Sequence, residues 1–142
     1  MKEAAEAGAD ALILPDVPFE EREEFLGAAK KHGICLISML ASSPEKRVLA
    51  IAGDSEGFLC LLPSPDAGAG GLSEMRETAK LVRERSGIPL VIDFGEKEAE
   101  EAGEAAAFFD GLIAMPALPG QGKAEYAGAY AKRMAEAVHR VR

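Results

Sequence analysis

Four places in this chain carry residue types that could do chemistry. Pro15-Asp16-Val17-Pro18 holds a carboxylate between two prolines at the end of an apolar run. Asp66-Ala-Gly-Ala-Gly-Gly71 is a glycine-rich stretch ahead of a helical pattern, where free backbone N–H groups could cradle a phosphate. Asp93-Phe-Gly-Glu-Lys97 puts two carboxylates and a lysine around a Phe-Gly pair, and Met115-Pro116 ends the last apolar run. The thiols offer less. Cys35 and Cys60 sit inside apolar runs, while His32 and His139 fall near predicted helix C-termini, with no ligands at metal spacing. Two buried, reduced thiols are expected, with no metal and no cofactor.

These residues need elements to position them. Five short runs are apolar without helical periodicity: Ala11–Leu14, Ile34–Leu40, Phe58–Leu62, Ile88–Ile92 and Gly111–Met115. Runs of that length bounded by Gly and Pro suit strands buried on both faces. An amphipathic helix is predicted between each pair. Glu20–His32 has its acids early and its bases late, complementing the helix dipole, with Gly33 as a left-handed cap. Ser43-Pro44 predicts an N-cap and first turn for a helix that stops at Gly53. Ser73 is expected to cap a helix closed by Gly87, Glu96–Ala106 forms a Glu- and Ala-rich helix, and a last helix runs from about Ala124 to Val141.

Composition excludes several classes of function. With 142 residues, 48% of them hydrophobic and 28% charged, one domain spanning 1–142 can fill a core. The net charge of −8, with basic residues scattered, offers no stripe for nucleic-acid phosphates. No apolar run approaches the ~18–20 residues of a membrane span. The opening MKEAAEAGAD reads as a helix rather than an export signal, so a cytoplasmic location is expected.

Strand–helix alternation at this rhythm implies α/β architecture with a parallel sheet and right-handed crossovers. Two forms fit, a doubly wound sheet or part of a (β/α)8 barrel; a whole barrel takes ~250 residues. Both place functional loops at the C-terminal ends of the strands.

The first of those loops resembles a known family. Glu6-Ala-Gly-Ala-Asp-Ala-Leu-Ile-Leu-Pro-Asp-Val-Pro-Phe-Glu-Glu21 is similar to the segment around strand 4 of the tryptophan synthase alpha subunit, roughly GADGLLIPDLPxEE. Ala41-Ser-Ser-Pro-Glu-Lys-Arg-Val48 resembles APTSPxxRI after strand 5, and Gly57-Phe58 resembles the opening of strand 6. Ile88-Pro89 with Phe94-Gly95 resembles IPVxxGFG, and Asp110-Gly-Leu-Ile113 resembles ADGVIVGS. The resemblance runs in order along nearly the whole chain. It implies a partial TIM barrel, five consecutive parallel βα units equivalent to strands 4 to 8.

The family cleaves indole-3-glycerol phosphate to indole and glyceraldehyde 3-phosphate in tryptophan biosynthesis. Its acid/base pair is a Glu at strand 2 and an Asp on the following loop, and both would lie upstream of Met1. No catalytic residue is therefore assigned here, and lyase activity by this chain alone is not expected. The resemblance assigns substrate-lining positions to Ile13, Cys60, Phe94, Gly95, Ile113, Met115 and Pro116. It departs from the family at each phosphate element: GVTGA becomes the Asp66 loop, GFGIS becomes Asp93-Phe-Gly-Glu-Lys97, and Gly-Ser becomes Met115-Pro116. Proline has no N–H to donate. Retention of a small phosphate ester is thus not expected.

Two readings stand for Asp16 and Pro18. By resemblance they face a tryptophan synthase beta subunit; by loop chemistry they stiffen a turn ahead of a helix. The Asp66 loop likewise reads either as a phosphate cradle or as a surface loop. For the whole chain three hypotheses follow. It is a partial relative completed by units from elsewhere, a non-catalytic interaction protein binding a beta-subunit-like partner or itself, or a different phosphate-ligand protein with a site near Lys97 or Lys123.

Overall fold

The computed structural model describes residues 1–41, 43–63, 71–95, 99–114 and 123–140, and five parallel strands form its centre. They are β1 (Ala11–Ile13), β2 (Cys35–Leu40), β3 (Leu59–Leu61), β4 (Leu90–Gly95) and β5 (Gly111–Ala114). Six helices alternate with them: α1 (Lys2–Glu6), α2 (Glu23–Lys31), α3 (Glu45–Asp54), α4 (Gly71–Arg83), α5 (Ala99–Ala106) and α6 (Lys123–His139). The spatial order β1-β2-β3-β4-β5 is the sequence order. A doubly wound sheet reverses its strand order at a switch point. This sheet has no reversal and curls into a half-barrel, which decides between the two architectures.

Local chemistry explains where the elements stop. At the end of α2 the N–H of Gly33 donates to the Lys30 carbonyl at 3.2 Å and that of Ile34 to the Ala29 carbonyl at 3.0 Å, with Gly33 at φ +68°. This is the reciprocal bond pattern that a left-handed glycine permits at a helix end. The Glu20–His32 helix is in two parts, a 3-10 turn over Phe19–Glu21 and then α2. Ser43 does not cap α3; its hydroxyl donates to the Ala41 carbonyl at 3.0 Å, and Pro44 takes the capping position. Ser73 lies inside α4 rather than ahead of it, and α3 runs one residue past Gly53.

Strand β4 departs most from expectation, starting at Leu90 and running on to Gly95. Pro89 cannot donate to a ladder, but its carbonyl accepts the Leu59 N–H at 2.9 Å. Further on, β4 and β5 fall out of register between Asp93 and Gly95. The Asp93 side chain accepts the Gly95 N–H at 3.1 Å, and Gly95 turns at φ +59°. A bulge closed by its own aspartate carries the strand through residues that read as polar loop.

The register sorts side chains onto two faces. Leu40, Leu59, Leu61, Leu90, Ile92 and Phe94 point toward the helices and form the main core with Val48, Ile51, Val82, Ala102, Tyr130 and Met134. The pairs Ile13↔Ile37, Met39↔Cys60, Cys60↔Val91 and Asp93↔Ile113 put the alternate residues on the concave face.

Strand β2 is shared unequally. Its first half pairs with β1 as far as Ile13↔Ile37, and its second half pairs with β3 from Ser38↔Leu59 onward. A smaller core, Ala29, Ile34 and Leu36 with Leu12, Phe25 and Leu26, belongs to the β1 side of that division.

Neither β1 nor β5 has a described partner along its outer edge. Exposed apolar edges and faces invite pairing with another chain. At micromolar concentration the 142-residue chain is therefore expected to be a dimer or larger, with open half-barrels turned toward each other. Light scattering giving the monomer mass would contradict this.

Candidate functional site

The concave face and the C-terminal strand ends are where a (β/α) half-barrel places its chemistry. Of the residues singled out in the sequence, Ile13, Cys60 and Ile113 share the concave face with Asp93. Ile13 and Ile113 are half-buried, whereas Cys60 is fully enclosed. Phe94 points the other way, 2% exposed in the helix-side core, because the strand alternates at that position. Gly95 forms the bulge. Asp16 and Pro18 are exposed on the loop after β1. Met115, Pro116, Asp66, Glu96 and Lys97 lie outside the described residues, as does the side chain of Lys123.

Asp93 is the one carboxylate that the described strands place on the concave face. On the adjacent strand β3, the Cys60 thiol is pushed up to about 11, first by burial and then by the negative charge of Asp93. A thiol held that high is protonated at neutral pH and is neither a nucleophile nor a general base. Burial, with a smaller contribution from Glu56, also raises the half-buried Cys35.

A reagent test separates the two thiols. Iodoacetamide at pH 7.5 is expected to modify Cys35 faster than Cys60 in the folded chain, with equal labelling only after denaturation. The folded pKa of Cys60 lies above its unfolded value of 9.0, so the folded state holds that proton more tightly. Its contribution to stability is complete below pH 9 and is lost as pH rises toward 11. Denaturant melts that do not weaken over that window, relative to Cys60→Ala, would contradict the assignment.

A second cluster was not singled out in the sequence. Arg22 stands among four glutamates, and Ser38 is the only hydroxyl in the run Ile34–Leu40. In the fold the Arg22 guanidinium donates to the buried Ser38 hydroxyl at 2.7 Å and to the Asp54 carbonyl at 2.6 Å. It also lies 3.9 Å from the centre of the Phe19 ring. Asp54 is the last residue of α3, so Arg22 satisfies an otherwise unpaired helix-end carbonyl and meets the negative end of that dipole. Arg47 on α3 pairs with Glu20, donating to its Oε2 at 3.1 Å. Together these contacts brace the loop carrying Asp16 and Pro18 against β2 and α3. The signal available in the sequence was the isolated serine in an apolar strand, which had to find a polar partner.

Comparisons with known proteins fit this geometry. The profile of the family described as tryptophan synthase alpha chain matches residues 1–137. The tryptophan synthase alpha chain of Shouchella clausii is 36% identical over 123 residues, which cover 81% of this chain and 44% of that protein. That of a Roseiflexus species is 37% identical over 124 residues, covering 82% and 46%. Among solved structures, the tryptophan synthase alpha chain from Legionella pneumophila superposes with a TM-score of 0.78 at 29% identity, over 99% of this chain and 56% of that one. A structure from Aquifex aeolicus gives 0.82 at 26% identity, over 96% and 55%. The chain spans about half the length of the curated relatives it matches. With the family profile matching residues 1–137 and the five strands in sequential order, this chain belongs to the tryptophan synthase alpha chain family.

Proposed function

We propose that this chain supplies the half of an indole-3-glycerol-phosphate-cleaving barrel that corresponds to strands 4 to 8, and that it does not carry out the cleavage by itself. The observation that carries this reading is the family match over residues 1–137 in a chain covering less than half of the Shouchella clausii relative. The concave face agrees with it. Acid–base cleavage needs a group to give a proton to the indole carbon and another to take one from a hydroxyl. The described part of this face offers Asp93, the enclosed Cys60 and half-buried Cys35 thiols, both with raised pKa, and apolar side chains. Ile13, Cys60, Ile113 and Gly95, with Met115 and Pro116, are the substrate-lining positions in this reading. Asp16 and Pro18 form the face toward a beta subunit, on an exposed loop that Arg22 braces from behind. The setting is cytoplasmic and no cofactor is required.

A complementation experiment tests the division of labour. The segment of the Shouchella clausii alpha chain preceding the matched region, expressed separately, is mixed with this chain and assayed for indole release. Activity that needs both polypeptides supports the reading. A stable mixed complex without activity favours the second reading, a non-catalytic partner of a beta-subunit-like chain or of itself, which the exposed Asp16 loop and open strand edges also support. Absence of any complex with that segment would overturn the first reading.

A further inference from the structure

At the C-terminal half of β2, between the loop after β1 and α3, lies a cavity of about 210 Å³ that takes in both faces of the strand. It opens because β1 stops pairing at Ile37, so that the loop Leu14–Phe19 arches past the second half of β2 instead of continuing the ladder. Its lining takes in consecutive β2 residues from Leu36 to Leu40, with Val17, Phe19, Ile51 and Leu62 supplying further apolar wall. Two guanidinium groups, Arg22 and Arg47, complete it, and no Asp or Glu is among its described lining residues. In a chain of net charge −8 that composition is unusual.

The two arginines differ in what holds them. Arg47 is paired with a carboxylate, Glu20. Arg22 bonds to a hydroxyl and a backbone carbonyl, both neutral. Those bonds use two of the five N–H donors of a guanidinium. The acids near Arg22, namely Glu20, Glu23, Asp54 and Glu56, line an adjoining crevice, which shares Phe19, Arg22 and Leu36 with the cavity. A cavity of this size exceeds the ~150 Å³ hole that accepts benzene in an engineered protein. Apolar walls with a few placed polar groups are the usual composition of a small-molecule site.

We infer that this cavity is a binding site for a small aromatic carboxylate, the ring held among Phe19, Leu36, Ile37 and Ile51 and the carboxylate met by Arg22. The site is independent of the barrel chemistry, so its fate and that of the proposed function are decided by different experiments. Guanidinium–carboxylate bonds are charge-assisted and stronger than neutral ones. Benzoate should therefore bind at least about tenfold more tightly than benzyl alcohol, its near-isosteric neutral counterpart.

The test is a nitrogen-edited NMR titration of the 142-residue chain with benzoate, benzyl alcohol and benzylamine. Saturable shifts from benzoate should fall on Phe19, Arg22 and Leu36–Ala41, with benzyl alcohol weaker and benzylamine weakest. In Arg22→Met the preference for benzoate over benzyl alcohol should vanish, and in Arg22→Lys part of it should survive. If Arg22→Met fails to fold, the ranking of the three ligands on the unmodified chain still decides the matter. Equal affinities, shifts centred on β3, β4 and β5 instead, or no saturation by about 10 mM would each overturn the proposal.

Discussion

Given indole-3-glycerol phosphate and no partner, the 142-residue chain should release indole at least about 10⁴-fold more slowly than an intact alpha chain of the family. Loss of one acid or base typically costs ~10²–10⁴-fold, and here both members of the pair are missing, so the upper end of that range is the least that is expected. The concave face explains why no substitute takes over. Asp93 is its one described carboxylate, and that carboxylate already accepts the Gly95 N–H that closes the bulge. Cys60 beside it is held as the neutral thiol by burial and by Asp93 itself. Neither is poised both to donate to carbon and to accept from a hydroxyl. A stopped assay detecting indole, run at saturating substrate with and without the complementary segment, measures the effect. Turnover by the chain alone approaching that of an intact alpha chain would remove the basis of the proposed division.

Glycerol 3-phosphate should give no saturable heat with this chain below about 1 mM in calorimetry. A phosphate dianion in this fold depends on several backbone N–H donors and on a helix N-terminus. Pro116 lacks a donor where the family has Gly-Ser, and Asp93 places negative charge on the concave face beside Ile113. One lost charge-assisted hydrogen bond is worth about 1.5–3 kcal/mol, roughly tenfold to a hundredfold, and the repulsion from Asp93 adds to that loss. The combined change Met115→Gly, Pro116→Ser and Asp93→Gly should restore measurable affinity. Because Asp93 also closes the β4 bulge, Asp93→Asn in place of Asp93→Gly separates the loss of charge from the loss of that hydrogen bond. Tight binding by the unmodified chain would show that the loop after β5 is misaligned with the family's phosphate loop.

The number and order of the strands were readable because each is a short apolar run that cannot be satisfied on a surface, and because α2 announces both its ends through charge and Gly33. The resemblance carried by Pro15-Asp16-Val17-Pro18 and the motifs after it was legible for the same reason, since turn and loop chemistry is local. What the sequence left open was settled by long-range pairing. Sequential strand order chose the barrel over the doubly wound sheet, a choice invisible in periodicity because both contain the same βα units.

The strand faces needed the register as well. A buried parallel strand is apolar on both sides, so nothing in Leu90–Gly95 marks Phe94 for the helices and Asp93 for the concave face until β5 pairs beside it. The same holds for Arg22. In the sequence it is one base among four acids; only the approach of β2 and α3 gives it a buried hydroxyl, a helix-end carbonyl and a cavity to face. Sequence alone determined the units and their family, because local propensity and loop chemistry act within a few residues. Tertiary structure decided which side chains share a site, because burial and hydrogen bonding join residues as distant as Arg22 and Asp54.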